Sequence, residues 1–160
     1  YLGLWKIVFM ERNMAGKNAL VGVGGIDANL SPDAFHMLAV HCYKCRQDFN
    51  SPDKFSLLPY FLLSRAIDLA IKSIHLKEKG QLEVKKIYSH KILDAYKALK
   101  SEYQVLDQHE TKILEATDEI YLGKRFEYPY MYDCLIAYSE FPELAILDKL
   151  ALKILSLWDK

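Results

Sequence analysis

The sequence predicts an all-α protein: a bundle of four to five helices, residues 31–160, behind an arm or hairpin formed by residues 1–30. Three observations carry this expectation. From Ser31 onward, apolar residues recur three and four positions apart, the period of a helix with one face turned inward. Cap and stop residues divide that pattern: Ser31-Pro32, Asn50 to Asp53, Gly80 and Asp107. Half the residues are hydrophobic and the chain has no repeats. A chain of 160 residues buries about two thirds of its unfolded surface, so it needs no disulfide or metal to hold a core.

Residues 1–30 follow a different grammar. "LWKIVFM" has the composition of a strand and "NALVGVGGI" that of its hairpin partner, with four glycines between residues 16 and 25. An irregular arm fits the same residues. The first helix begins with Ser31 as N-cap, Pro32 in the first turn and Asp33 beside the helix dipole. Phe35, Leu38, Cys42 and Cys45 form its expected inner stripe. "NSPD" at 50–53 is expected to stop it and cap the next helix.

That second helix, "KFSLLPYFLLSRAIDLAIKSIHLKEKG", is the longest pattern in the chain. Phe55, Leu58, Leu62, Ala66, Leu69 and Ser73 make one stripe, widened by Leu63, Ile67, Ala70, Ile71 and Ile74. A helix apolar over so much of its circumference belongs at the centre. Pro59 is tolerated near its start, and Gly80 reads as its C-terminal stop. A third helix is expected over "KILDAYKALKSEYQVL", starting at Ser89 or His90. A fourth follows Asp107, with Ile113, Leu114, Ile120 and Tyr121 inside. Pro129 marks a loop whose Phe126, Tyr128, Tyr130 and Tyr132 pack over the bundle or form a contact surface. The last helix carries Leu144, Leu147, Leu150, Ile154 and Leu157.

The formal net charge is zero, which gives no overall case for nucleic acid or membrane binding. The distribution is uneven. Residues 72–100 hold eight lysines against three acids, and residues 101–160 hold six basic residues against twelve acids. The basic stretch is either a solvated helix face or a phosphate-facing patch. Three cysteines, an odd number, fit free thiols in a reducing compartment. No apolar run reaches the roughly 18–20 residues of a membrane span, and the opening lacks the features of a signal peptide. The expected location is the cytoplasm, with no membrane association and no cofactor.

Four motifs bear on chemistry. "HCYKC" offers His41, Cys42 and Cys45, but no second CxxC or HxxxH completes a zinc set, so no metal site is expected. "VGVGGI" lacks the Lys-Ser/Thr of a phosphate loop and reads as a turn. Arg65, Asp68 and Lys72 share a helix face at spacings of three and four. Their neighbours are so apolar that Asp68 is expected to be partly buried and to need a partner, Lys72 or His90. His90 itself is either a helix-starting residue bonded across the bundle to Asp68, or a proton-transfer group.

Two segments, "PYFLLSRAIDLAIKSIHLKEKG" and "KKIYSHKILDAYKAL", together resemble the HEPN superfamily, helical domains of prokaryotic toxin–antitoxin and defence systems. Many members show a helix of the form "hAIELhLKAhLhxKG", then a "YGHDL"-like step. Here Ala66 to Lys72 match the first, with Asp68 for Glu. Tyr88-Ser89-His90-Lys91-Ile92 match the second, with Ser for Gly and Lys for Asp. "IYLGKRFEYP" is similar to the tail of such domains, and the likeness spans roughly residues 33–158. It implies a four-to-five-helix bundle, often a homodimer. Some members are metal-independent ribonucleases whose Arg precedes a His by four to six intervening residues. Before His90 those positions are Lys85, Val84 and Glu83, and no other histidine here has an Arg at that offset. Lys85 with His90 is the nearest substitute, and lysine lacks the planar fork that grips phosphate.

The resemblance therefore implies a non-catalytic module that binds RNA, nucleotide or a separately encoded protein partner. The expected binding residues are Arg65, Asp68, Lys72, Lys86 and His90. A weak ribonuclease using His90 and Lys85 is the alternative, and a purely structural dimeric interaction domain is the third.

Overall fold

The computed structural model describes residues 30–51, 56–126, 128, 131 and 139–160. The expected arm or hairpin over residues 1–30 therefore lies almost wholly outside the described residues, as do Phe55, Tyr130 and Tyr132. Among the described residues there are six α-helices and no strand: α1 Pro32–Asp48, α2 Leu58–His75, α3 Gln81–Tyr88, α4 Ile92–Lys97, α5 Gln108–Leu122 and α6 Leu144–Leu155. Short 3₁₀ turns cover Ser101–Tyr103 and Ser156–Asp159. None of these helices is long and apolar enough to cross a membrane.

The caps of α1 and α5 form as the sequence predicts. The Ser31 hydroxyl accepts the Ala34 amide at 3.2 Å. Asp107 and Glu110 make a reciprocal capping box, each side chain accepting the other's backbone N–H, a device worth about 1 kcal/mol. Along α1 the inner face is Phe35, Ala39, Cys42 and Tyr43. Leu38 and Cys45 point outward, a correction to the expected stripe. The true period of 3.6 follows Phe35 with Ala39 rather than Leu38.

Helix α2 is the centre of the bundle and packs against α1, α4, α5 and α6. From Leu63 to His75 every residue except Arg65 is buried, so the polar groups it carries must be satisfied inside. Ser64 and Ser73 do so by donating to the carbonyls of Tyr60 and Ala70. The helix starts later than "NSPD" suggests: Leu57 is its N-cap, Pro59 sits in the first turn, and Leu58 is exposed.

Gly80 is a second correction. Helix α2 ends at His75, and the chain turns through Leu76 to Lys79. Gly80 then caps α3 in an extended conformation, its carbonyl accepting the Val84 amide. Helix α3 falls in a segment whose only buried residues are Val84 and Tyr88, one turn apart, while its other apolar residues, Leu82 and Ile87, are exposed. The third predicted helix is also shorter than expected. It starts at Ile92, not at Ser89 or His90, and its helical turns end at Lys97. Gln104 terminates it by donating to the carbonyls of Lys97 and Leu99, while the Tyr96 hydroxyl accepts the Leu106 amide. No side chain of α4's own approach caps it. Asp118, buried on α5, accepts the Ile92 amide at 2.6 Å instead. Burial pushes the Asp118 carboxyl up, and the amides of Ile92 and Leu93 partly offset that.

In the aromatic loop, Phe126 packs edge-on against Phe61 at 5.8 Å and Phe141 at 6.5 Å. Tyr128 stays exposed. On the far side of α2, buried His75 stacks on Tyr88 with ring centroids 4.5 Å apart. Its Nε2–H donates to the Ala95 carbonyl at 2.8 Å, which assigns the neutral ring the Nε2 proton.

Burial holds His75 below its ordinary value of 6.5. A group whose pKa is depressed on folding binds more protons when unfolded, so stability rises with pH across that window. The fold is therefore expected to lose stability as the pH falls below about 6.5, and His75→Gln is expected to flatten that slope. Urea midpoints between neutral and mildly acidic pH measure it. A slope unchanged by the substitution would assign the loss elsewhere.

Candidate functional site

The buried carboxylate of Asp68, 1 % exposed, organises the site. Lys72, one turn on, brings its Nζ to 2.6 Å from Oδ1. That approach is off the axis of a hydrogen bond, so the contact is mainly one of charge. Arg65, one turn before, places Nη1 3.3 Å from Oδ2. The same Nη1 donates to the Tyr121 hydroxyl from α5 at 3.3 Å. Burial opposes the Arg65 charge, but Tyr121 and Asp68 outweigh it and hold the guanidinium pKa above its ordinary value.

Lys72 also donates to the carbonyl of Ser89. Ser89 occupies the turn between α3 and α4, where the Lys91 amide bonds back to the Tyr88 carbonyl at 2.7 Å. Its φ of 47° and ψ of −109° lie near the about +60°, −120° of the first central residue of a type II′ turn. Glycine favours that conformation, because a Cβ strains it. His90 is the second central residue. It therefore neither begins a helix nor bonds to Asp68, which corrects the expected role. Its ring is exposed and stands edge-on to Tyr121 at 5.6 Å.

These groups meet at a cleft of about 180 Å³. Its rim carries Arg65, Lys72, Lys85 and His90, and its floor is Phe35, Leu69, Leu76 and Val84. Three of the expected binding residues, Arg65, Lys72 and His90, thus line it together with Lys85, and Asp68 lies behind them, paired with Arg65 and Lys72. Lys86 is exposed on α3 and does not line the cleft. Sequence reasoning missed the contributions of the Ser89 carbonyl and the Tyr121 ring. Only the chain's return through α5 puts Tyr121 there, although the residue was recognisable as inward-facing.

Arg65 and Lys72 share the single negative charge of Asp68, so with Lys85 they leave the cleft a positive edge over an apolar floor, which suits an anionic ligand with a flat apolar part. Proton transfer fits less well. No hydrogen bond to another described residue orients either ring nitrogen of His90, and general acid–base groups are usually so held. Among the described residues, no group of three or more His, Cys, Asp or Glu side chains is placed to hold a metal ion.

Two substitutions probe this arrangement. Asp68→Ala is expected to destabilise the fold by about 3 kcal/mol, since it strands Lys72 and Arg65 without their counter-charge. Adding Lys72→Met is expected to recover part of that loss. A urea double-mutant cycle reads the coupling, and strictly additive losses would dissolve the pair. Ser89→Gly is expected to relieve the turn and raise Tm by about 3 °C. An unchanged or lower Tm would mean that Ser89 does not carry this strain in solution.

No family model, no curated protein and no solved structure matches the chain.

Proposed function

We propose that this chain is a non-catalytic helical module of the HEPN type that binds nucleotide or single-stranded RNA through the α2–α3 cleft. The observation that carries the reading is the convergence of Arg65, Lys72, Lys85 and His90 on one apolar-floored cleft. Phosphate attracts the cations, and a base has the flat apolar face the floor offers. The HEPN resemblance is supported by the turn at Ser89. The motif's glycine falls at the one position of that turn whose positive φ favours glycine. In this reading the module works in the cytoplasm of a prokaryote, within a defence or toxin–antitoxin type of system. It acts as a homodimer, with or without a separately encoded protein partner, and uses no cofactor.

A second reading, weak metal-independent ribonuclease activity, has one specific observation in its favour. In this reading Arg65 would stand in for the arginine missing at the family's sequence offset from His90. Both side chains meet at Tyr121. Arg65 would then grip the phosphate and His90 would move the proton.

Fluorescence anisotropy of a labelled single-stranded RNA, followed over time at rising salt, tests both. Binding that salt reverses is expected. Lys85→Ala should lower the salt slope by about 0.7, the loss of one single-strand phosphate contact. Lys86→Ala, outside the cleft, should change it less. A slow decay of the signal that His90→Ala abolishes would establish the ribonuclease. No binding at low salt would end both nucleic-acid readings and leave the protein-interaction module.

A further inference from the structure

The α2–α3 cleft has two unlike ends. Its α2 wall carries Arg65, Lys72 and Leu76 in chain order, and its α3 wall carries Gln81, Lys85 and Ser89. The chain reverses through the turn after Leu76, and Lys72 reaches the Ser89 carbonyl, so the two walls run antiparallel. The cations therefore gather toward the Ser89–His90 turn, and Leu76 and Gln81 stand at the opposite end. Phe35 belongs to that end too, since its neighbour His36 stacks on Trp158 and Lys77 lies over the same indole.

Among the described residues that line this uncharged end, Gln81 is the only polar side chain. Its orientation is set by a partner that can only donate. The Leu30 amide nitrogen lies 2.8 Å from Oε1, so the oxygen accepts that N–H and the Nε2 amino group is the free end. No hydrogen bond to another described residue takes up its two N–H donors. Gln81 precedes Lys85 by one turn of α3, about 6 Å along the axis. A nucleotide whose phosphate meets Lys85 can thus lay its base beside Gln81, flat on the apolar floor.

A glutamine amide free at both ends pairs with adenine, donating to N7 and accepting from the N6 amino group. Here Oε1 is already engaged by Leu30, and the donors are what remains. Guanine presents two acceptors on that edge, O6 and N7, whereas adenine sets its own N6 donor against them. We propose that Gln81 is the specificity-determining residue of the cleft and selects guanine over adenine. The inference rests on the nucleic-acid reading of the cleft.

The probe is a labelled penta-adenosine RNA and the same strand with guanine or hypoxanthine as its central base. Binding to the full chain is read by fluorescence anisotropy at low salt. The guanine strand is expected to bind about fivefold more tightly than the all-adenine strand, the lower limit for one well-placed base contact. Hypoxanthine keeps O6 and N7 but lacks the 2-amino group, and should match guanine. Gln81→Met should bring guanine binding down to the adenine level and leave adenine binding nearly unchanged. Gln81→Glu keeps an acceptor for the Leu30 amide but no donor, and should also erase the preference. A merely structural role for Gln81 would weaken all strands alike. Equal binding of the three strands would overturn the proposal. So would a preference that survives Gln81→Met, or one that hypoxanthine does not share. In each of these cases the cleft reading still stands if Lys85→Ala weakens every strand. No binding of any strand at low salt would overturn both.

Discussion

A charge placed in the middle of a helix that is buried almost all round is the constraint on which the rest of the site depends. Asp68 cannot reach water from α2, and an isolated carboxylate in such surroundings is prohibitively costly. Lys72 and Arg65, one turn to either side, answer it within the same helix. Each then has hydrogen-bonding capacity to spare. Lys72 spends it on the Ser89 carbonyl and Arg65 on the Tyr121 hydroxyl. The local neutralisation of one carboxylate thereby ties α2 to the α3–α4 turn and to α5. Such pairs contribute little net stability compared with apolar packing, but breaking one leaves a stranded charge. They fix geometry more than they add energy.

That geometry creates the cleft. The turn at Ser89 and His90 is held under backbone strain, and strain of this kind persists where surrounding contacts over-determine it. The Lys72 contact is one of those constraints. Asp118 is another, since it caps α4 from a distance and pins the start of the helix that follows the turn. With the turn fixed, Lys85 and His90 face the same opening as Arg65 and Lys72. The result is a cleft with basic side chains around an apolar floor. Arg65 and Lys72 are positioned by a shared partner, Asp68, while the His90 imidazole stands edge-on to Tyr121.

Much of the fold is legible in the chain because local rules and global packing agree there. Ser31-Pro32 and the Asp107–Glu110 box are complete signals within four residues. The apolar circumference of α2 states its central position directly. Legibility fails between residues 76 and 106. Gly80 follows two lysines like a helix stop, yet the chain has already turned, and Gly80 starts the next helix. Helix α3 shows only two buried positions, and α4 is six residues long. Helices that short are not stable alone, so their limits are set by neighbours.

The sequence by itself determined the helical class, the caps of α1 and α5, the central role of α2 and the need of Asp68 for a counter-charge. Each of these follows from spacing of three or four residues along one helix. Tertiary structure decided where His90 lies, and that Lys85 joins the cleft while Lys86 does not. Those outcomes depend on contacts between residues 17 to 56 positions apart, such as Lys72 with Ser89 and Arg65 with Tyr121. Side-chain spacing carries no information about such contacts until the helices have packed.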